Sequence, residues 1–184
     1  MVGIPGSGKT FFADHFGATF NAPIVSFEKI STQMYGQASL ESSEQESALR
    51  ISHYLLEQLL KTGQTVMYEG PTDTRTNRQT LSKTALDNGY QPLLVWVQTE
   101  SLASKIRATK SSRGSVALHP EQFDTMVKRF TPPNVSERAV VISGKHTYAS
   151  QLKIVLKRLA DSREKLPEIA TPARTNEGRH ITVR

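Results

Sequence analysis

Apolar positions along the chain fall into short blocks whose period alternates between that of a strand and that of a helix. Ile24-Val25-Ser26-Phe27, Thr65-Val66-Met67-Tyr68 and Ala139-Val140-Val141-Ile142 are compact apolar runs bounded by polar or turn-forming residues, and each predicts a strand. Pro92 to Val97 is apolar nearly throughout, which predicts a fourth strand buried on both faces. Between these runs the spacing becomes helical. Leu49, Ile51, Tyr54, Leu55, Leu56, Leu59 and Leu60 predict a helix over Ala48–Leu60, with a capping box from Ser43 and Glu46 and a stop at Gly63. Asn77–Leu86, Ser101–Thr109, Pro120–Phe130 and Tyr148–Leu159 predict further helices, Pro120 standing in a first turn where its missing N–H is harmless. Lys110 to His119 reads as a polar, mobile connection. At the start, Met1-Val2 reads as a strand end that runs through glycines into a helix beginning near Phe11. This alternation predicts an α/β fold: a parallel sheet of about five strands flanked by helices, with ligands gathered at the strands' carboxyl ends.

Composition narrows the picture. At 184 residues, with 37% hydrophobic and 22% charged, the chain suits one ordinary globular domain. The absence of cysteine excludes disulfides, thiolate metal sites and cysteine nucleophiles. Leu93 to Val97, the longest apolar stretch, is far below the roughly 20 residues a membrane helix needs. Glycines from position 3 onward leave no room for a signal peptide, so a cytoplasmic protein without membrane contact is expected. The net charge is +6, and its surplus lies in two stretches. Lys105, Arg107, Lys110, Arg113, Lys128 and Arg129 face only two acids, Glu121 and Asp124, while seven basic residues between Lys157 and Arg184 face four acids. Beyond Asp161 the apolar period stops, and Pro167, Pro172 and Gly178 accompany scattered charge. Residues 161–184 therefore read as a flexible basic tail.

The chemistry begins at Gly3. Gly3-Ile4-Pro5-Gly6-Ser7-Gly8-Lys9-Thr10 meets the GxxxxGK[ST] spacing between a strand end and a helix start. Glycines let the backbone turn tightly enough for its N–H groups to wrap a phosphate, and the following helix directs its positive end at the anion. Gly3, Pro5, Gly6, Ser7, Gly8 and Phe11 are thus candidate nucleotide contacts. Lys9 supplies a mobile positive charge for the β- and γ-phosphates, and Thr10 a hydroxyl for Mg²⁺. ATP with Mg²⁺ is the expected ligand. Only Met1 and Val2 precede Gly3, so the strand entering the loop is either very short or has lost its beginning.

With this octet, with Glu69-Gly70-Pro71-Thr72 leading to Arg78, and with Arg107 preceding Phe130-Thr131-Pro132-Pro133, the chain resembles the polynucleotide-kinase and zeta-toxin-like P-loop kinases from about Met1 to Leu159. The resemblance implies a kinase-like domain over residues 1–160. It implies a helical lid over about 101–130 that brings Arg107, Lys110 and Arg113 to the nucleotide phosphates. Glu28 is the nearest match to the acid that activates the acceptor hydroxyl. Glu69 is implied in a Mg²⁺-water or acceptor contact, and Gly144 to Thr147, with His146, is implied near the adenine. Both acidic positions hold glutamate where the group has aspartate, and Ser31 replaces the arginine that commonly grips an acceptor's phosphate. Arg78 is either a site residue or an ordinary solvated helix residue.

The expected function is ATP-dependent transfer of a γ-phosphate to a hydroxyl on a small molecule or a nucleic-acid end, with Lys9, Glu28, Glu69 and Arg107 catalytic and Thr10 and Glu69 at the metal. Two alternatives remain: an ATP-binding switch or weak ATPase, and a nucleic-acid-binding module. The last ranks lowest, because aromatics are 7% of the chain and are not interleaved with basic residues. Neither the acceptor nor the oligomeric state is legible at this level.

Overall fold

A computed structural model describes residues 1–36, 41–110 and 117–163. The expected tail beyond residue 163 and Arg113 lie outside the described residues. The first helix, α1 (Lys9–Phe20), follows the glycine loop and ends where Asn21 turns left-handed at φ 50°. Strand β1 (Ile24–Ser26) runs directly into α2 (Phe27–Tyr35), a helix absent from the sequence reading although Phe27, Ile30 and Met34 stand at helical spacing. Its signal is local: Ser26 Oγ accepts from the Lys29 N–H at 3.4 Å, and Glu28 places an acid in the first turn. Helix α3 (Ser42–Leu60) begins earlier than its apolar period. Ser43 therefore lies inside the helix, the expected capping box does not form, and Glu46 instead accepts from Arg50 at 2.6 Å.

Strand β2 (Met67–Glu69) leads to α4 (Arg75–Asp87), capped by Thr74, whose hydroxyl accepts from the Asn77 N–H. Then follow β3 (Val95–Gln98), α5 (Ser101–Thr109), α6 (Pro120–Arg129), a 3-10 turn (Val135–Glu137), β4 (Val140–Ser143) and α7 (Tyr148–Arg163). β1 and β2 are parallel with Val25 opposite Tyr68, and β3 and β4 are parallel with Val97 opposite Ile142. Met1 and Val2 lie between the two pairs. The Met1 nitrogen donates to the Tyr68 carbonyl at 2.8 Å, and Val2 exchanges 2.8 Å bonds with Val95 and Val97. The lane order is thus β1, β2, Met1-Val2, β3, β4, so that four strands and one dipeptide fill the five expected lanes.

Helices α1 and α7 cover one face, where Phe12, Phe16, Val95, Val97, Ile142 and Val155 form the main core. Val25, Leu56 and Leu60 form a second cluster, joined by Tyr68, Leu81 and Tyr90. The Pro92–Val97 run is not buried on both faces as expected: Val95 and Val97 are buried, but Trp96 is half-buried and Val141 beside it is 44% exposed. On that face Trp96 meets Phe130, the residue that ends α6, at a centroid distance of 6.5 Å.

Arg78 is neither solvated nor at the phosphate loop. It is 2% exposed and forms a two-pronged pair with Glu137 at 2.6 and 3.0 Å, while also donating to the carbonyls of Thr72 and Thr131. It thereby ties the segment returning from α6 to the end of β2. The hydrogen bond from Arg78 is the main cause that holds the Glu137 carboxyl below its usual range. A depressed carboxylate stabilises the fold above the unfolded value, and that contribution is lost as pH falls through the folded one. Arg78→Ala, which removes a buried guanidinium and leaves the half-buried Glu137 carboxylate without its cation, is expected to cost about 3 kcal/mol of stability by denaturant titration. Glu137→Gln should remove part of the loss of stability on the acid side; an unchanged pH profile in that variant would rule the pair out as its source.

Candidate active site

The loop from Gly3 to Gly8 leaves the centre of the sheet and enters α1. Two glycines meet specific constraints. At Gly3, with φ 148°, an added Cβ would stand 2.6 Å from the Val97 carbonyl and 2.7 Å from Ser7 Oγ. At Gly6, with φ 72°, it would collide with the Ser104 carbonyl of α5. The loop and α5 are therefore in backbone contact. No side chain caps the start of α1, which leaves its first amides without a side-chain acceptor, as a helix end that receives a phosphate requires. Ser7 is fully buried, and its carbonyl accepts from Thr99 Oγ1 at 2.9 Å.

Lys9 Nζ donates to the carbonyls of Gly3 and Ile4 at 3.0 and 3.1 Å. Burial pushes its ammonium below the ordinary lysine value, and the nearby Glu69 and Glu28 carboxylates offset part of that. Thr10 Oγ1 donates to Glu69 Oε1 at 2.5 Å, while Glu69 Oε2 is buried without a hydrogen-bond partner among the described residues. A hydroxyl and a carboxylate oxygen side by side, with the second oxygen unpaired, are hard oxygen donors that fit Mg²⁺ and its waters.

Glu28, in the first turn of α2, reaches solvent, yet its surroundings withhold enough water to raise its carboxyl above the ordinary range. Repulsion from Glu69 adds to this, and Lys9 and Lys29 offset it in part. Lys29 is itself paired with Asp14 at 2.7 Å, and Ser31 is buried. Lys9, Thr10, Glu28 and Glu69 thus form one electrostatic group over β1, β2 and the loop.

Arg107 stands on the other side, where its Nη1 donates to the Gly144 carbonyl at 3.1 Å. Gly144 is pressed against the Ser7 carbonyl and Thr99 Oγ1, leaving no room for a Cβ. His146 is exposed in the same turn, and its carbonyl accepts from Gln151 Nε2 at 3.3 Å. Phe11 is 47% exposed and stacks on His15, which stacks in turn on Tyr148. Lys110 is exposed at the end of α5, and Pro5 is half-buried in the loop. Thr99 and Ser104 escaped the sequence reading, as did the packing of Gly144, expected near the adenine, against the loop at Ser7. Their contacts with the loop span about a hundred residues or more of chain, and no local pattern marks them.

The glycine loop entering a helix from the central lane of a parallel sheet, with lysine, threonine and a strand-end carboxylate converging on it, defines a P-loop nucleotide-binding protein of the kinase-like type. A family model described as an AAA domain matches residues 1–133, and the chain belongs to that family. Among solved structures, a gluconokinase from Sinorhizobium meliloti 1021 superposes with a TM-score of 0.64 at 17% identity, covering 89% of this chain and 91% of its own. A sugar kinase from Janibacter sp. HTCC2649 gives 0.60 at 16% identity, covering 85% and 90%. These likenesses establish a shared fold. No curated protein matches the chain. Among the described residues, no helix is long and apolar enough to cross a membrane.

Gly6→Ala should strain the loop and push it off α5. Calorimetry with Mg-ATP is expected to show at least a tenfold weaker affinity, about 1.4 kcal/mol, and wild-type affinity would mean that the loop accommodates a side chain here.

Proposed function

We propose that the chain is a phosphotransferase that moves the γ-phosphate of ATP to a hydroxyl of a small molecule. The observation that carries this reading is the second carboxylate. A nucleotide switch or simple ATPase needs one acid beside Lys9 and Thr10, which Glu69 provides, whereas Glu28 adds another within electrostatic reach of Lys9 and Glu69, on the side away from Arg107. An acceptor hydroxyl needs such a group. The names of the structural neighbours, a gluconokinase and a sugar kinase, support a small-molecule acceptor over a nucleic-acid end.

In this reading Lys9 exchanges its Gly3 and Ile4 carbonyls for the β- and γ-phosphates. Thr10 and Glu69 would hold Mg²⁺, which neutralises phosphate charge when bound. Glu28 takes the acceptor's proton as the acceptor oxygen bonds to the γ-phosphorus and the bond from that phosphorus to the ADP oxygen breaks. Residues 101–130 act as the lid, with Arg107, and with Lys110 and Arg113 beyond it, closing on the phosphates and excluding water. Phe11 and the turn holding His146 flank the base. The raised carboxyl of Glu28 suits a base that must recover its proton affinity during turnover.

Labelled ATP incubated with sugars, polyols, aldonates, nucleosides and 5′-hydroxyl oligonucleotides should transfer label to a small molecule. Hydrolysis without transfer would favour the switch instead. Glu28→Gln should lower turnover by roughly 10²- to 10⁴-fold with Mg-ATP affinity kept. In the wild type, turnover should rise with pH along a limb that lies above the ordinary glutamate range, and that limb should vanish in Glu28→Gln; its persistence would assign the base elsewhere. Arg107→Ala should lower turnover with little change in melting temperature, because among the described residues its one hydrogen bond is an exposed one to a carbonyl.

A further inference from the structure

The face of β3 and β4 turned away from α1 and α7 carries a wide-mouthed cavity, open to solvent, of about 450 Å³, within the roughly 300–1,000 Å³ of small-molecule sites. Trp96 and Phe130 line it, tilted at 44° to each other, and Ile4 of the glycine loop closes one end. Gln98 and Glu100 from the end of β3 and Lys145 from the turn after β4 add a polar rim. Lys9, Thr10, Glu28, Glu69 and Arg107 do not line this cavity.

We propose that this cavity is a second ligand site, beside the phosphate loop and sharing Ile4 with it, and that it takes an uncharged hydroxylated ring such as a sugar or cyclic polyol. Shape argues for this first. A flat base gains most between parallel planes, but Trp96 and Phe130 make an open wedge, which leaves one aromatic face for the C–H side of a puckered ring. The rim argues the same way, since amide, carboxylate and ammonium together offer donors and acceptors to hydroxyls that both donate and accept. Charge narrows the class further. Lys145 Nζ lies 2.9 Å from Glu100 Oε2, so the rim holds a balanced pair and no surplus of either sign to draw an ion.

Trp96 is the chain's single tryptophan and lines this cavity, so fluorescence excited selectively at tryptophan reports on its wall. The probes are methyl α-D-glucopyranoside, myo-inositol, adenosine and gluconate. A saturable change is expected with at least one of the two neutral rings. It should weaken at least tenfold in the Gln98→Ala, Glu100→Ala double variant, whose altered side chains are exposed. Saturation by adenosine or gluconate alone would overturn the proposal, as would a response indifferent to the double variant or none to any probe. Since the measurement uses no ATP, its failure leaves the phosphotransferase reading untouched.

Discussion

Two residues hold the halves of this sheet together. Met1 and Val2 form the central lane, and their backbone groups are paired on both sides, with Tyr68 across one edge and Val95 and Val97 across the other. Thr72 Oγ1 adds a 2.8 Å bond to the Met1 carbonyl. A buried peptide group without a partner costs as much as a lost hydrogen bond, so this short stretch is tightly specified. The position of the loop follows. Gly3 leaves the sheet between β2 and β3, which sets Thr10 against Glu69 at the end of β2 and Ser7 against Thr99 just beyond the end of β3.

Charge is distributed unevenly about that loop. Over β1 and β2 stand Glu28 and Glu69, with Lys9 between the loop carbonyls and their fields. The partial burial that lowers the Lys9 ammonium also raises the Glu28 carboxyl, since both charged forms lose water. A bound triphosphate would meet a lysine already stripped of much of its hydration, where a charge-assisted contact is stronger than at an open surface. On the side of β3 and β4 the polar contacts are of another kind: Arg107 on a carbonyl, and Lys145 balanced by Glu100. Arg78, which could have supplied a further cation, is committed to Glu137 and to holding the chain as it returns from α6.

Much of this was legible in the residues. The spacing of Gly3, Gly8, Lys9 and Thr10 carries its own geometry, because a phosphate cradle needs those backbone freedoms at those intervals. The apolar runs located four strands to within a few residues, since each packs at least one face into a core. Helix α2 escaped the sequence reading although Phe27, Ile30 and Met34 stand at helical spacing, because so short a stripe, whose first residue also continues the apolar run of β1, does not stand out from a strand end. The run Pro92–Val97 misled for a related reason. Trp96 is apolar in composition, but whether an apolar side chain is covered depends on what crosses that face.

By itself, then, the sequence determined the α/β alternation, the phosphate loop and the strand-end acid Glu69, all of which depend on neighbours within a few residues or on a period along one element. Only the tertiary structure decided that Arg78 serves Glu137 from 59 residues away, that Thr99 and Gly144 brace Ser7, and that Glu28 shares a field with Lys9 and Glu69. The physical reason is range. Hydrogen bonds and close packing act over a few ångströms in space, and chain positions so far apart leave no joint mark on local sequence until the sheet order brings them together.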